Sequence, residues 1–372
     1  MRIGGPLLGL LALAGCGAHH DEAVTTAAGA AEEKLLNVYS WLDYIAPDTV
    51  ANFEKETGIK VHYDMYDNNE VLETKLLTGN THYDIVLPTG YFFARQRSAG
   101  IFRKLDKAAL SNLHNADPEI LRMMAVYDPG NDYAIPYMFA TTGLGYNVAQ
   151  VQARLGGNVP DGWSLLFDAN NAAKLKDCGI AIVDSEMDVF ESAMLYLGKD
   201  PNRLDAADVA AASAVLMKIR PFVRYIDPAQ YISDMANGSI CLSLGWSGDV
   251  EQANSRAAEA NTGVKLAYFV PREGAAITVD MMAIPADAPH PHNAALWMNY
   301  LMRPEVMASI TNFIRYPNGY SGSLPGVLDS VKSDAAIYPA EAVRTRLFVP
   351  KAVPLDYTRV ITREWTRFRT GN

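Results

Sequence analysis

From Leu35 onward, short apolar runs alternate with stretches of helical spacing that stop on glycine. "LLNVYSW" (35–41) predicts a strand, and "DTVANFEKETG" (48–58) a helix with apolar Val50 and Phe53 that ends at Gly58. "IKVHYDMY" (59–66) is strand-like in its β-branched and aromatic content, whereas "NEVLETKLLTG" (69–79) is helical and again halts on glycine. "YDIVLP" (83–88) has the continuous apolar run of a buried strand and is followed by helical "YFFARQRSAG" (91–100). This β-α-β-α-β order predicts a mostly parallel sheet with helices on both faces.

The middle of the chain repeats the theme without a sequence repeat. "CGIAIVD" (178–184) predicts a strand leading to the helix "VFESAMLYLG" (189–198), and "SICLSLGW" (239–246) a strand leading to "DVEQANSRAAEA" (249–260). "VKLAYFVP" and "AITVDMMAIP" read as further strands, and "HNAALWMNYLMRPEVMASITNF" (292–313) as helix. No Pro/Gly/Ser-rich linker divides two contiguous halves. Two lobes between which the chain crosses several times fit better than beads on a string.

Open parallel sheets bind ligands outside the carboxyl ends of their strands. Here those ends deliver Trp41, Asp43 and Tyr44, then Thr89 and Tyr91, then Asp184, Ser185 and Asp188, then Trp246, Ser247 and Asp249, and finally Asp280. The loops "WLDYIAP", "PTGYFF", "DSEMDV" and "GWSGDV" contain no Lys or Arg. Aromatic plus carboxylate is the recurrent output, and it suits an organic cation. An ammonium taken from water needs carboxylates as hydrogen-bond acceptors, and aromatic faces add cation–π attraction of roughly 0.5–2 kcal/mol each. Any one of these residues alone could be core or, like Asp249, a helix N-cap; the coincidence across four loops carries the reading.

Composition narrows the partners. The 372 residues are 49% hydrophobic and 20% charged, as expected of a globular chain of about two domains. A net charge of −10 argues against nucleic acid, which needs concentrated Lys and Arg. At the N-terminus, Arg2, an apolar run to Leu13 and small residues before Cys16 suit an export signal too short to span a bilayer. "LAGC" (13–16) resembles a lipoprotein cleavage box, which makes residues 1–16 a signal peptide, Cys16 the lipidated residue and 17–34 a flexible tether. Cys178 and Cys241 then remain, and an oxidising compartment favours a disulfide between them over two buried thiols. No Cys/His cluster has metal-ligand spacing.

"YSWLDYIAPDTVANFEKETGIKVHYDMYDNNEVLETKLLTG", "PYMFATTGLGYN", "QYISDMANGSICLSLGWSGDV" and "IYPAEAVRTRLF" resemble the periplasmic putrescine- and spermidine-binding proteins of bacterial ABC importers. The resemblance runs from about Leu35 to the C-terminus. It implies an α/β, two-lobed periplasmic binding protein fold of type II, each lobe a mostly parallel sheet flanked by helices, with crossovers at a hinge. Lobe 1 is expected over 35–138 and 265–317, and lobe 2 over 139–264 and 318–372. Trp41, Asp43 and Tyr44 match the family's first ligand motif, and Thr89 a small hydroxyl position. Tyr91 stands where the spermidine binders tend to have tyrosine. Asp188 matches an acidic contact, shortened from Glu, and Trp246, Asp249, Asp280 and Tyr316 match the remaining aromatic and acidic positions. Cys178 and Cys241 match a disulfide of the putrescine type. Leu42, Thr278 and Pro350 depart from the family: a small hydroxyl residue, an aromatic wall and a Leu or Gln are replaced.

The resemblance thus implies a monomeric receptor that captures a polyamine, putrescine first and spermidine second, and delivers it to an inner-membrane ABC permease. It would lie in the periplasm, touch membrane only through Cys16, and need no cofactor or metal. In this reading Asp249 and Asp280 hold one ammonium while Asp43 and Asp188 face the other end or a middle amine. A polyamine sensor that signals to a membrane partner would use the same pocket. An enzyme is disfavoured, because "GWSGD" (245–249) lacks the second glycine of a nucleophile elbow and no HExxH or phosphate loop occurs. A metal receptor is disfavoured because His290 and His292 read as a solvated turn and His19 and His20 lie in the tether.

Overall fold

The computed structural model describes residues 32–371; the expected signal segment, Cys16, and the tether up to residue 31 lie outside the described residues. β1 spans Leu35–Trp41, as its pattern predicts, with Leu36 and Val38 fully buried. The helix Thr49–Thr57 ends on Gly58, whose left-handed φ of 68° lets its N–H reach the Glu54 carbonyl. β2 (Lys60–Tyr66) pairs parallel with β1 over seven residues, and β3 (Ile85–Val86) pairs parallel on its other side. The remaining strands are β4 (Ala134–Asn147), β5 (Ile180–Ile182), β6 (Tyr225–Ile226), β7 (Leu242–Trp246), β8 (Leu266–Phe269), β9 (Ala275–Ala283) and β10 (Leu347–Phe348).

The described strands form one sheet in the order β2-β1-β3-β9-β4-β7-β5-β6, with β8 beside β4 and β10 beside β9. The outer ladders are parallel, whereas β9 and β4 run antiparallel to each other and to their neighbours β3 and β7. β4 is the shared element. Its first part pairs with β9, the register shifts between Pro136 and Phe139, and Leu144–Tyr146 pairs with both β7 and β8. A 14-residue strand therefore runs through both halves of this α/β fold, and each half has helices against its own strands.

Two expectations change, and two expected lobe boundaries meet contacts that cross them. Residues 292–313 form two helices, Pro291–Leu301 and Pro304–Ile314, because Pro304 lacks an N–H and restrains Arg303 to extended backbone. The expected boundary at 265 puts β8 in lobe 1, and its ladder lies on the second part of β4. Conversely, residues beyond 318, expected in lobe 2, begin against the Pro304–Ile314 helix. There Asn318 Nδ2 donates to Thr311 Oγ1 at 2.8 Å, and Val327, Val331 and Ile337 cluster with Ala308. The "HPH" turn is also not solvated throughout: His290 is buried, with Nδ1 3.0 Å from Asp84 Oδ2.

Cys178 and Cys241 form a disulfide with 5.4 Å between their Cα atoms. It joins the segment entering β5 to the segment entering β7, two adjacent parallel strands. A loop of 63 residues closed this way is stabilised by about 4 kcal/mol on the chain-entropy model.

Candidate functional site

The carboxyl ends of β1, β3, β5 and β7 face a cleft, which is crossed by β9. Its cavity, with about 670 Å³ of empty space including the mouth, is lined by Trp41, Leu42, Asp43, Tyr44, Asp67, Asn69, Thr89, Tyr91, Ala140 and Asp188. Pro228, Ala229, Ile232, Trp246, Asp249, Thr278, Asp280 and Tyr316 complete it. Of the residues expected from sequence, Asp184, Ser247 and Pro350 are absent from the lining, as is, from the ligand-binding set, Ser185. It stands behind the wall, where its hydroxyl donates to Asp188 Oδ2 at 2.6 Å.

Five aspartates line the cavity, and the lining contains no Lys or Arg. Asp188 and Asp249 are buried, Asp280 is partly buried, and all three are held by neutral donors. Asp280, on β9, accepts from Thr89 Oγ1 and from Tyr44 Oη, each at 2.7 Å. Burial pushes its carboxyl up to about 6, and the Asp188 and Asp249 charges add to the rise against the two hydroxyl bonds. Asp249, in the first turn of the helix Ser247–Glu259, accepts from Tyr316 Oη at 2.6 Å and from Tyr231 Oη. Burial pushes it to about 6 as well, while those hydroxyl bonds and the Arg256 charge pull the other way. Asp188, in the helix Glu186–Tyr196, accepts from Ser185, from Thr142 Oγ1 and, at 3.4 Å, from Trp246 Nε1; burial raises its carboxyl too.

Asp43 differs from these three. It takes a left-handed φ of 55°, is half-exposed, and its Oδ2 accepts from Arg256 at 2.7 Å. The loop after β1 carries no cation of its own, so the fold supplies one from the helix Ser247–Glu259. Asp43 therefore lines the cavity while sharing its charge with a protein cation.

The aromatic walls are fixed from behind. Trp41 donates Nε1–H to the Leu87 carbonyl at 2.9 Å and meets Trp246 edge-on, with ring centroids 6.1 Å apart. Tyr44 meets Tyr316 edge-on at 5.0 Å, and Tyr137 donates to the Tyr44 carbonyl at 2.7 Å. Tyr316 reaches Asp249 because residue 248 is glycine: a Cβ there would overlap the Tyr316 ring. Thr278 lines the cavity opposite Ala140 in the β4–β9 ladder, so two short side chains meet where the resemblance predicts an aromatic ring.

Sequence reading missed Asp67, Asn69, Ala140, Pro228, Ala229 and Ile232 in the lining and Tyr231 behind it. Asp67 and Asn69 follow β2 directly, so the strand-end rule could have found them. Asn69 is buried and exchanges two hydrogen bonds with Thr89, holding it beneath Asp280. Pro228 and Ala229 follow β6, whose two residues give no readable pattern.

Comparison with known protein families matches residues 48–340 to the bacterial extracellular solute-binding proteins. The chain is 48% identical over 351 residues to the putrescine-binding periplasmic protein PotF of Escherichia coli, covering 94% of this chain and 95% of that one. It is 46% identical to the putrescine-binding periplasmic protein SpuD of Pseudomonas aeruginosa, covering 92% and 94%. Among solved structures, a putative spermidine/putrescine ABC transporter from Listeria monocytogenes superposes with a TM-score of 0.81 at 27% identity, over 91% of this chain and 100% of that chain. The chain belongs to the bacterial extracellular solute-binding protein family, and its role is that of a substrate-binding receptor.

Proposed function

We propose that the pocket captures a linear polyamine, putrescine first and spermidine second, and that closure of two lobes presents it to an inner-membrane ABC permease. One observation carries the reading: Asp188 and Asp249 are buried and Asp280 partly buried around one cavity, and no Lys or Arg lines it with them. A buried carboxylate without a cation costs several kcal/mol, and neutral hydroxyl donors offset only part of that. An alkyl chain with an ammonium at each end supplies the missing charges, and its methylenes fit between Trp41, Tyr44, Trp246 and Tyr316. Asp249 and Asp280 take one ammonium and Asp188 the other. The preference for putrescine rests on the names of the two relatives at 48% and 46% identity.

The lobes divide along β4. Residues 35–138 with β9 and the two helices of 291–314 move as one body, and 139–264 with β8 as the other. The shift of register between Pro136 and Phe139 supports a flexible point there. The receptor acts in the periplasm as a monomer, tethered through lipidated Cys16. Calorimetry of ligand-stripped protein against putrescine, cadaverine, agmatine, spermidine and spermine tests the proposal. Micromolar or tighter binding of at least one is expected; no heat and no shift of melting temperature with any of them would sink it.

A further inference from the structure

The C-terminal helix Leu355–Thr370 buries one face, Tyr357, Ile361, Trp365 and Phe368, at the three- and four-residue spacing of a helix packed on the body. Its outer face repeats every fourth residue as Leu355, Arg359, Arg363 and Arg367, which stack in one stripe about 18 Å long. All four are exposed, and Leu355, at 69%, is the most exposed large apolar side chain among the described residues.

The neighbouring helix Ala206–Ile219 widens this face. Ser213 Oγ donates to Glu364 Oε2 at 2.8 Å across the seam between the two helices. The outer positions of the second helix are Ala206, Ala207, Ala210, Ala214 and Lys218. Methyl groups project little, so the arginine stripe borders a flat floor, and Lys218 adds a further cation. Acids are scarce here. Asp356 is the exposed acid of the two helices, because Glu364 is turned inward to Ser213 and Asp208 is buried against Lys199 and Arg203. Arg359 meets Asp356 at 2.9 Å, and Arg363 and Arg367 reach Glu364 at 3.3 and 3.5 Å. Exposed pairs of this kind are weak and readily exchanged for a better acceptor. The whole chain carries −10, so its composition does not account for a cationic face. Amine capture does not account for it either, since such a face repels a cationic ligand.

We infer that this two-helix face is a docking surface for an anionic phospholipid bilayer. A guanidinium keeps its charge at any working pH and donates two parallel N–H bonds to a phosphate. A row of such cations beside an exposed apolar side chain is what a helix lying in a bilayer interface presents, with Leu355 entering the boundary between headgroups and acyl chains. The alanine floor lets a planar surface approach closely. The chain ahead of the described residues favours the same partner: an expected tether over 17–34 spans at most about 65 Å, which would keep the face near a bilayer and let a weak contact suffice. The docking itself depends neither on lipidation nor on which amine is bound.

The test is co-sedimentation of the full chain carrying Cys16→Ser, which blocks lipidation, with vesicles of phosphatidylcholine alone or with about one-third phosphatidylglycerol. The anionic vesicles are expected to bind it at least about tenfold more tightly at low salt, and about 0.5 M salt should remove most of the difference. Arg359→Gln with Arg363→Gln should weaken binding to anionic vesicles about tenfold at an unchanged melting temperature, and lysine at the same two positions should largely restore it. Equal binding to the two kinds of vesicle would overturn the proposal, as would undiminished binding by the glutamine variant. Should that variant fail to fold, Asp356→Asn decides: it is expected to bind anionic vesicles severalfold more tightly, and no gain would overturn the proposal. Amine calorimetry is a separate measurement, so either reading can fail without the other.

Discussion

Asp43 and Arg256 meet at 2.7 Å between the loop after β1 and the helix Ser247–Glu259, two segments separated by 213 residues and belonging to opposite sides of the cleft. Both side chains are partly exposed, so the pair contributes only about 0–1 kcal/mol to folding. Its effect should appear in kinetics, because it must break whenever the cleft opens. Arg256→Ala is expected to speed amine release severalfold in stopped-flow measurements, with little change in urea stability. The exchanged pair Asp43→Arg with Arg256→Asp should restore slow release. Unchanged release in Arg256→Ala would remove the pair from the closing step.

Asp249→Asn keeps the shape of the side chain and removes its charge. A bound ammonium would then be underpaired, weakening the ligand by about 2–5 kcal/mol. The empty protein should lose nothing, since an amide is cheaper to bury than a carboxylate in that site. Calorimetry and melting of the stripped variant check both halves of the expectation. A destabilised apo protein would mean that Asp249 serves the fold rather than the ligand.

Acidification should act in opposite directions on the empty and the loaded protein. Asp249 and Asp280 are pushed from 3.8 to about 6, so between these values the folded state binds more protons than the unfolded state. Their contribution to apo stability is therefore fully present below pH 3.8 and lost as pH rises through 6. An ammonium selects the ionised carboxylates, so affinity should fall as pH drops below about 6, by up to about tenfold per unit for each group. Titrations at pH 5 and 7.5, with apo melting at both, test the pair of slopes. A flat affinity profile would contradict the electrostatic account.

Gly248→Ala should displace the Tyr316 ring that its Cβ would overlap. The Tyr316–Asp249 hydrogen bond would be lost, and with it part of one aromatic wall. Weaker amine binding with a near-native melting temperature is expected. Retained affinity would show that Tyr316 has room to move elsewhere.

Cys178→Ser with Cys241→Ser removes the disulfide between the entries to β5 and β7. A loss of about 2–4 kcal/mol in urea unfolding is expected, with amine affinity little changed, because neither sulfur touches the cavity. An equal fall in affinity would indicate that the bond positions Asp188 or Trp246.

Much of the architecture was legible because the first two helices end on Gly58 and Gly79 and the early strands are rich in β-branched and aromatic residues. β1 and the helix after it fall where the sequence puts them. The 292–313 stretch was misread because its apolar spacing continues through Pro304, and periodicity outweighed the one residue that breaks it. The site was legible where an aromatic residue or an acid follows a strand. Arg256 was not, since its partner lies 213 residues away and only folding brings them together. Tyr231 was equally hidden: it lies inside a helix and acts from behind Asp249.

Asp188, Asp249 and Asp280 come from three different segments: one helix after β5, one helix after β7, and β9 itself. Each can be exchanged without touching the backbone that carries the other two. Evolution, or a protein engineer building a fluorescent reporter, can thus retune which metabolite is recognised one substitution at a time while the moving scaffold stays as it is.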